Sequence, residues 1–144
     1  MKMKVLFPGD SETLNVLGNQ VFSKLVAADT GGVHEIIETS SPPRSGVPPH
    51  VHSHEDETAY VLEGDFEFRV GEQRIRASGG TFLCLPRGAP HGFTNMGTTV
   101  GRVLFTISPA HLCPMFEELS RLPAGPPDLA QVQAICQRYG IRFL

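Results

Sequence analysis

The sequence lacks any excess of positive charge. Twelve Lys and Arg stand against fifteen Asp and Glu, for a formal net charge of -3. No basic face for a phosphate backbone is implied, and nucleic acid is excluded as a partner. Cysteine is scarce: Cys84, Cys113 and Cys136 are an odd, scattered set with no CxxC pair. They make no disulfide framework and fit a reducing, cytoplasmic compartment. Long hydrophobic runs are absent too, so no stretch is read as crossing a membrane. Between Met1 and Asp10 only Val5, Leu6 and Phe7 form an apolar run before Pro8-Gly9, too short for a signal peptide. There is no internal repeat and no second domain, and residues 1–144 are read as one domain long enough to bury a core.

Turn formers are plentiful. Gly (15) and Pro (12) make up about 19 % of the chain, against a usual share of about 12 %. That excess favours a turn-rich, all-β protein. Residues 21–26 and 33–39 read as strands around the turn Asp29-Thr30-Gly31-Gly32. Residues 40–49 read as a connection, because Pro42, Pro43, Pro48 and Pro49 cannot donate to a ladder. Further strands follow at 50–54, 58–62, 66–70, 73–77, 81–85, 91–95 and 100–107, with Gly71-Glu72 as a hairpin turn. The β core spans about 20–108. Beyond Pro109 the period becomes helical, at Met115, Phe116, Leu119 and Leu122. A second stripe, Leu129, Val132, Ile135, Cys136 and Tyr139, follows the N-cap Asp128 and ends at Gly140. These helices, about 112–140, read as a lid on the barrel surface. The pattern alone leaves jelly-roll, lipocalin-like and immunoglobulin-like arrangements open.

Four of the six histidines lie in two short β segments. His50 and His52 are spaced i, i+2, so a strand projects both from one face, where two imidazoles can chelate one ion. Glu57 follows five residues later, after a polar stretch able to turn the chain. His91, behind the stiff lead-in Pro86-Arg87-Gly88-Ala89-Pro90, is the candidate fourth ligand. A lone strand histidine is more often a hydrogen-bonded or surface residue, and the acidic run Glu55, Asp56, Glu57 could mark a solvated loop. The apolar flanks Val51, Ala59, Tyr60, Val61 and Leu62 speak against a loop throughout.

The stretch from Pro48 to Gly64, carrying His50, His52, Glu57 and the closing Gly64, resembles the first motif of the cupins. Gly80, Pro86, Gly88, His91 and Asn95 are similar in spacing to the second motif of that family. One position departs: the glycine expected six residues before His50 is Arg44, and Gly46 is the candidate to turn the chain instead. The resemblance implies a double-stranded β-helix, or jelly-roll barrel, with a small C-terminal helical extension. It implies metal ligation by His50, His52, Glu57 and His91. The run from His50 to Gly64 further resembles small cupins grouped with quercetin 2,3-dioxygenase, where the position of Glu57 is thought also to act as a base. Small cupins commonly pair, so a homodimer built through an edge strand near the N-terminus is implied.

Three neutral imidazoles and one carboxylate leave a divalent ion with a net charge of +1. Six-fold coordination would keep two positions open, as a catalytic site needs. Fe, Mn, Co, Ni, Cu and Zn all suit such ligands. Inward-facing Ala59, Val61, Phe66, Phe68, Phe93 and Phe105 predict an apolar pocket for an aromatic or otherwise flat organic ligand. The expected activity is metal-dependent oxygenation of a small phenolic or enolisable molecule, with Glu57 taking its proton. A non-catalytic binding or sensing module and a redox-neutral isomerase or lyase are the alternatives. His54 could be a spare ligand but reads better as a donor behind Glu57 or an exposed turn residue, His34 and His111 read as structural or surface residues, and Cys84 as a small core residue.

Overall fold

The computed structural model describes residues 1–144. Its strands are β1 (Thr13–Val16), β2 (Asn19–Leu25), β3 (Glu35–Ser41), β4 (Gly46–His52), β5 (Asp56–Glu63) and β6 (Asp65–Val70). They continue with β7 (Gln73–Ser78), β8 (Phe82–Leu85), β9 (His91–Asn95), β10 (Gly101–Ser108) and β11 (Ile141–Phe143). Three helices interrupt them: α1 (Ala27–Thr30), α2 (Cys113–Ser120) and α3 (Leu129–Arg138).

All pairings are antiparallel. One sheet runs β1-β2-β3-β10-β5-β8 and the other β11-β4-β9-β6-β7. The partners β3 with β10, β4 with β9, β5 with β8 and β6 with β7 are nested about the β6–β7 hairpin. A long antiparallel ribbon is thereby rolled into a jelly roll, the arrangement expected from the resemblance. The two inner faces meet over Val61, Phe66, Phe68, Val103 and Ile107, all nearly inaccessible. Phe66 and Phe68 pack on Phe93, with ring centroids 5.9 and 5.5 Å away. Each buried phenylalanine contributes about 1.5–3 kcal/mol, so this end of the barrel is a solid core.

Several local readings need correction. Residues 46–52 are a strand despite Pro48 and Pro49. The β4–β9 register shifts between Val47 and His50, so both prolines sit in a bulge where no ladder N–H is required. Gly46 does not turn the chain. It opens β4 where a Cβ would come within 2.0 Å of the Phe93 carbonyl oxygen. Arg44 makes the turn itself, in the left-handed region at φ 67°, and its N–H donates to the Asn95 carbonyl at 2.9 Å. The turn at 29–32 begins as the single helical turn α1 and leaves it through left-handed Gly31. Cys84 is exposed, because the alternation of β8 turns Leu83 and Leu85 inward and Cys84 out. Two strands, β1 and β11, lie outside the range 20–108 expected for the core.

The helices follow their apolar stripes. Asp128 caps α3 by accepting from the N–H groups of Ala130 and Gln131, and Val132, Ile135 and Cys136 are buried while Leu129 is exposed. Glu118 ties α2 to α3 by accepting from Arg138 and from the Tyr139 hydroxyl at 2.6 Å. Glu35, wholly buried on β3, accepts from the N–H groups of Leu112 at 2.8 Å and Cys113 at 3.3 Å. It thus seats the start of α2. Burial outweighs those hydrogen bonds and raises the Glu35 carboxyl above its ordinary value. Asn95 pins the β9–β10 connection, donating to the Ser41 and Thr99 carbonyls and accepting from the Gly97 N–H.

A non-glycine residue in the left-handed region costs about 1–2 kcal/mol. Arg44→Gly relieves that strain and adds some unfolded-state entropy, for an expected net gain of about 0.5–1 kcal/mol. Urea unfolding of the two proteins measures it, and a lowered midpoint would show that the Arg44 side chain contributes more than its backbone costs.

Candidate metal centre

The bulge of β4 and its i, i+2 alternation turn His50 and His52 into the barrel, where both are buried. His91 opens β9 directly opposite His50. Glu57 arrives from the other sheet, on β5 between β8 and β10, opposite Leu85 and Ile107. The structure therefore brings together all four residues expected as ligands. The Nε2 atoms of His50 and His52 are 3.0 Å apart. Glu57 Oε2 lies 3.0 Å from His91 Nε2 and 3.9 Å from His52 Nε2. The ring centroids of His50, His52 and His91 are 4.6–5.1 Å apart.

Hydrogen bonds on the far side of each ring set its direction. The Nδ1 atoms of His50 and His91 lie 2.9 and 3.0 Å from the Pro48 and Ala89 carbonyls. His52 Nδ1 lies 3.2 Å from Glu55 Oε2. Since only Nδ1–H can donate to these acceptors, each neutral ring is left with its lone pair on Nε2, pointing at the common centre. Two such lone pairs 3.0 Å apart repel unless something positive lies between them. Nitrogens each about 2.0–2.1 Å from one ion and at right angles are about 3 Å apart, so the observed spacing suits a shared divalent ion. The donor set fits as well: nitrogen-rich, one carboxylate, no thiolate. The buried His/Glu cluster could bind a metal.

The protonation state of His50 agrees with this, whereas without an ion the approach of Glu57 to His91 Nε2 favours a proton there. Burial and the neighbouring His91 push His50 down to about 4, so it stays neutral and able to ligate at neutral pH. For His91, burial works against the charged form, but the Glu57 hydrogen bond and charge outweigh it and the value is raised. Glu57 is likewise opposed by burial, yet the His91 hydrogen bond and the three imidazoles hold it below the usual carboxylate range.

A mostly apolar cavity opens over the cluster, walled by Phe93 and Phe105, by Leu112, Met115, Phe116 and Leu119 on and before α2, and by Phe143 of β11. Of the six residues expected to line a pocket, Phe93 and Phe105 do so. Ala59, Val61, Phe66 and Phe68 do not lie on this wall. They face inward as the alternation requires, but they pack against one another in the solid end of the barrel. Helix α2 supplies the missing wall, so the lid covers the cavity rather than an outer surface. Strand β11 seals the other side, pairing Ile141 with His52 and Phe143 with His50.

Sequence reasoning missed Glu55, which is wholly buried. Its signal lay in the period of two: Glu55 and Glu57 point in while Asp56 points out to Arg87. The Arg87 side chain and N–H hold the Asp56 carboxyl down to about 2. His54 is exposed, one of the two placements expected for it, and packs over Gly140, where a Cβ would come within 2.4 Å of His54 Nδ1. The backbone of His34 bonds the Thr30 hydroxyl, at the end of α1.

Glu55 orients His52, so Glu55→Ala should lower affinity for a divalent ion offered to the cluster by about 10–100-fold, with Glu55→Gln losing less. Calorimetric titration with Zn²⁺ or Ni²⁺ measures this, with circular dichroism confirming the fold. Unchanged affinity in Glu55→Ala would deny Glu55 that role.

No helix is long and apolar enough to cross a membrane. Residues 37–107 match the family described as Cupin domain. The chain is 31 % identical over 88 residues to the Tetracenomycin polyketide synthase protein TcmJ of Streptomyces glaucescens. That match covers 61 % of this chain and 59 % of TcmJ. The structure is similar to that of KdgF from Halomonas sp., with a TM-score of 0.69 at 19 % identity, covering 76 % of this chain and 96 % of that one. It is also similar to the polyketide cyclase RemF from Streptomyces resistomycificus, with a TM-score of 0.65 at 22 % identity, covering 74 % and 80 %. The family match covers residues 37–107, just under half of the chain, and the barrel is the fold shared with these solved structures.

Proposed function

We propose that the protein is a metal-dependent enzyme acting on a small, flat, enolisable or phenolic molecule, with His50, His52, His91 and Glu57 as the ligands of one divalent ion. The observation that carries this reading is the convergence of that cluster on the floor of an apolar cavity. The ion would supply Lewis acidity, lowering the pKa of a hydroxyl or of a carbon acid beside a carbonyl. Glu57 is the one carboxylate on the cavity wall. With three imidazole lone pairs committed to an ion, it is the group left to take a proton from the substrate. Phe93, Phe105 and Phe143 flank a planar ligand and exclude water. The cavity is small, about 100 Å³, against about 150 Å³ for one that holds benzene. A ring therefore enters only as Met115 and its neighbours on α2 yield, and Met is the side chain best suited to yielding.

Likeness to a polyketide synthase protein favours redox-neutral enolisation or ring closure of a poly-carbonyl compound. Oxygenation, implied by the likeness of residues 50–64 to the quercetin 2,3-dioxygenase group, would use the same substrate class and the same base. Consumption of O₂ separates the two. Protein loaded with Fe²⁺, Mn²⁺, Co²⁺, Ni²⁺, Cu²⁺ or Zn²⁺ should turn over a 1,3-diketone or a flavonol, followed by mass spectrometry with and without O₂. Activity without O₂ supports the redox-neutral reaction, and O₂ uptake the oxygenating one. Thermal stabilisation by the ligand without product marks a binding module. Glu57→Gln should lower turnover by about 10²–10⁴-fold at matched metal content.

The reading extends to a homodimer. Strand β1 is an open sheet edge preceded by exposed Met3, Val5 and Phe7, and pairing would cover it. Light scattering should give twice the chain mass, and the mass of one chain would refute the dimer.

A further inference from the structure

A second group of ligating side chains stands beside the first and shares only Glu55 with it, as the residue that orients His52. One ring nitrogen of His54, one oxygen of Glu55 and one ring nitrogen of His111 all lie within 4.8 Å of one another. They come from different parts of the fold: His54 and Glu55 from the β4–β5 turn, His111 from the link between β10 and α2. The two rings meet edge to face, with centroids 6.0 Å apart. His111 Nδ1 approaches Glu55 Oε1 to 2.9 Å. Apart from that approach Oε1 has no polar partner and accepts no hydrogen bond, although Glu55 is wholly buried. Its other oxygen is already engaged with His52 Nδ1.

A buried carboxylate oxygen that accepts no hydrogen bond is costly, about 1–3 kcal/mol or more for a charged group. Its position between two imidazoles, one exposed and one part-exposed, gives a cation a route to it from solvent. Two imidazoles and a carboxylate are ligands of the zinc type, with room for water in a further position. We propose that His54, Glu55 and His111 form a second, solvent-accessible site for a divalent transition-metal ion. The exposed His54 ring, at a turn, supplies the movement that closes the group around the ion. Glu55 then serves both centres, through Oε1 for the second ion and through Oε2 for the ring of His52.

The site would also fasten the lid. His111 stands just before α2, and the turn bearing His54 is tied to the end of α3 by the Ser53 N–H and hydroxyl, which donate to the Gly140 carbonyl at 3.0 and 2.8 Å. An ion there joins the entry of one lid helix to the strand turn on which the other ends.

The proposal stands apart from the first centre and can fail separately. Full-length protein stripped with a chelator is titrated with Zn²⁺ and with Co²⁺, and metal retained after gel filtration is counted by elemental analysis. Two equivalents are expected for the unaltered chain. One is expected for the His54→Ala/His111→Ala double variant, and one for His50→Ala/His91→Ala. If the unaltered chain holds a single ion, its loss in the first variant and retention in the second still support the site at His54 and refute the other centre. Two equivalents in His54→Ala/His111→Ala, or a single ion that this variant retains, overturn the proposal. Should the double variant not fold, the ring ¹⁵N resonances of His54 and His111 in the unaltered protein decide. They should shift together as Zn²⁺ is added, and their failure to move at two equivalents overturns the site.

Discussion

Three buried imidazoles, when neutral, turn their Nε2 lone pairs toward one another and repel, and the barrel holds them there nonetheless. The restraint lies on the outer side of each ring. Pro48 and Ala89 offer carbonyls and Glu55 a carboxylate to the three Nδ1 atoms, and in a neutral ring each bond selects the tautomer that leaves Nε2 bare. Everything else at the centre depends on this arrangement. It requires the bulge that presents the Pro48 carbonyl, the turn that presents Ala89, and a wholly buried acid two residues before Glu57. A cation relieves the repulsion, so the same geometry that costs stability in its absence makes the cluster suited to binding one.

The barrel divides along its length into a part that is packed and a part that is open. Phe66, Phe68 and Phe93 fill one end, so side chains facing inward there are core. Toward the histidines a mostly apolar cavity remains, and it is closed by elements added to the barrel. These are α2, seated on Glu35, and β11, which completes the sheet beside β4. Cavity and metal cluster therefore depend on residues that are far apart in the chain. Leu112 and Met115 share a cavity with His50 only because β10 returns next to β3 and hands the chain to α2.

Glu55 connects the two clusters. One oxygen orients His52 and the other faces His111. The β4–β5 turn therefore touches both the link that leads into α2 and the cavity floor. Asp56 lies between two inward acids and points outward to Arg87, which fastens the turn to the stiff segment that delivers His91. Three successive acids thus have three separate physical roles.

Local pattern carried much of this on its own. The spacing of His50 and His52, the alternation of β6 and β10, the cap at Asp128 and left-handed Gly140 are consequences of backbone periods of 2.0 and 3.6 residues, which operate over a few positions and need no knowledge of the rest of the chain. Strand β4 was hidden because a bulge removes the need for the two N–H groups that its prolines lack, and pairing with β9 reveals that. Arg44 could not be read as the turning residue, since nothing local shows that its φ is positive. Which inward residues line a cavity and which pack on one another, and whether Glu55 faces water or His52, were decided only by the rolling of the sheets. Those outcomes depend on contacts between segments tens of residues apart, and distance along the chain holds no record of them.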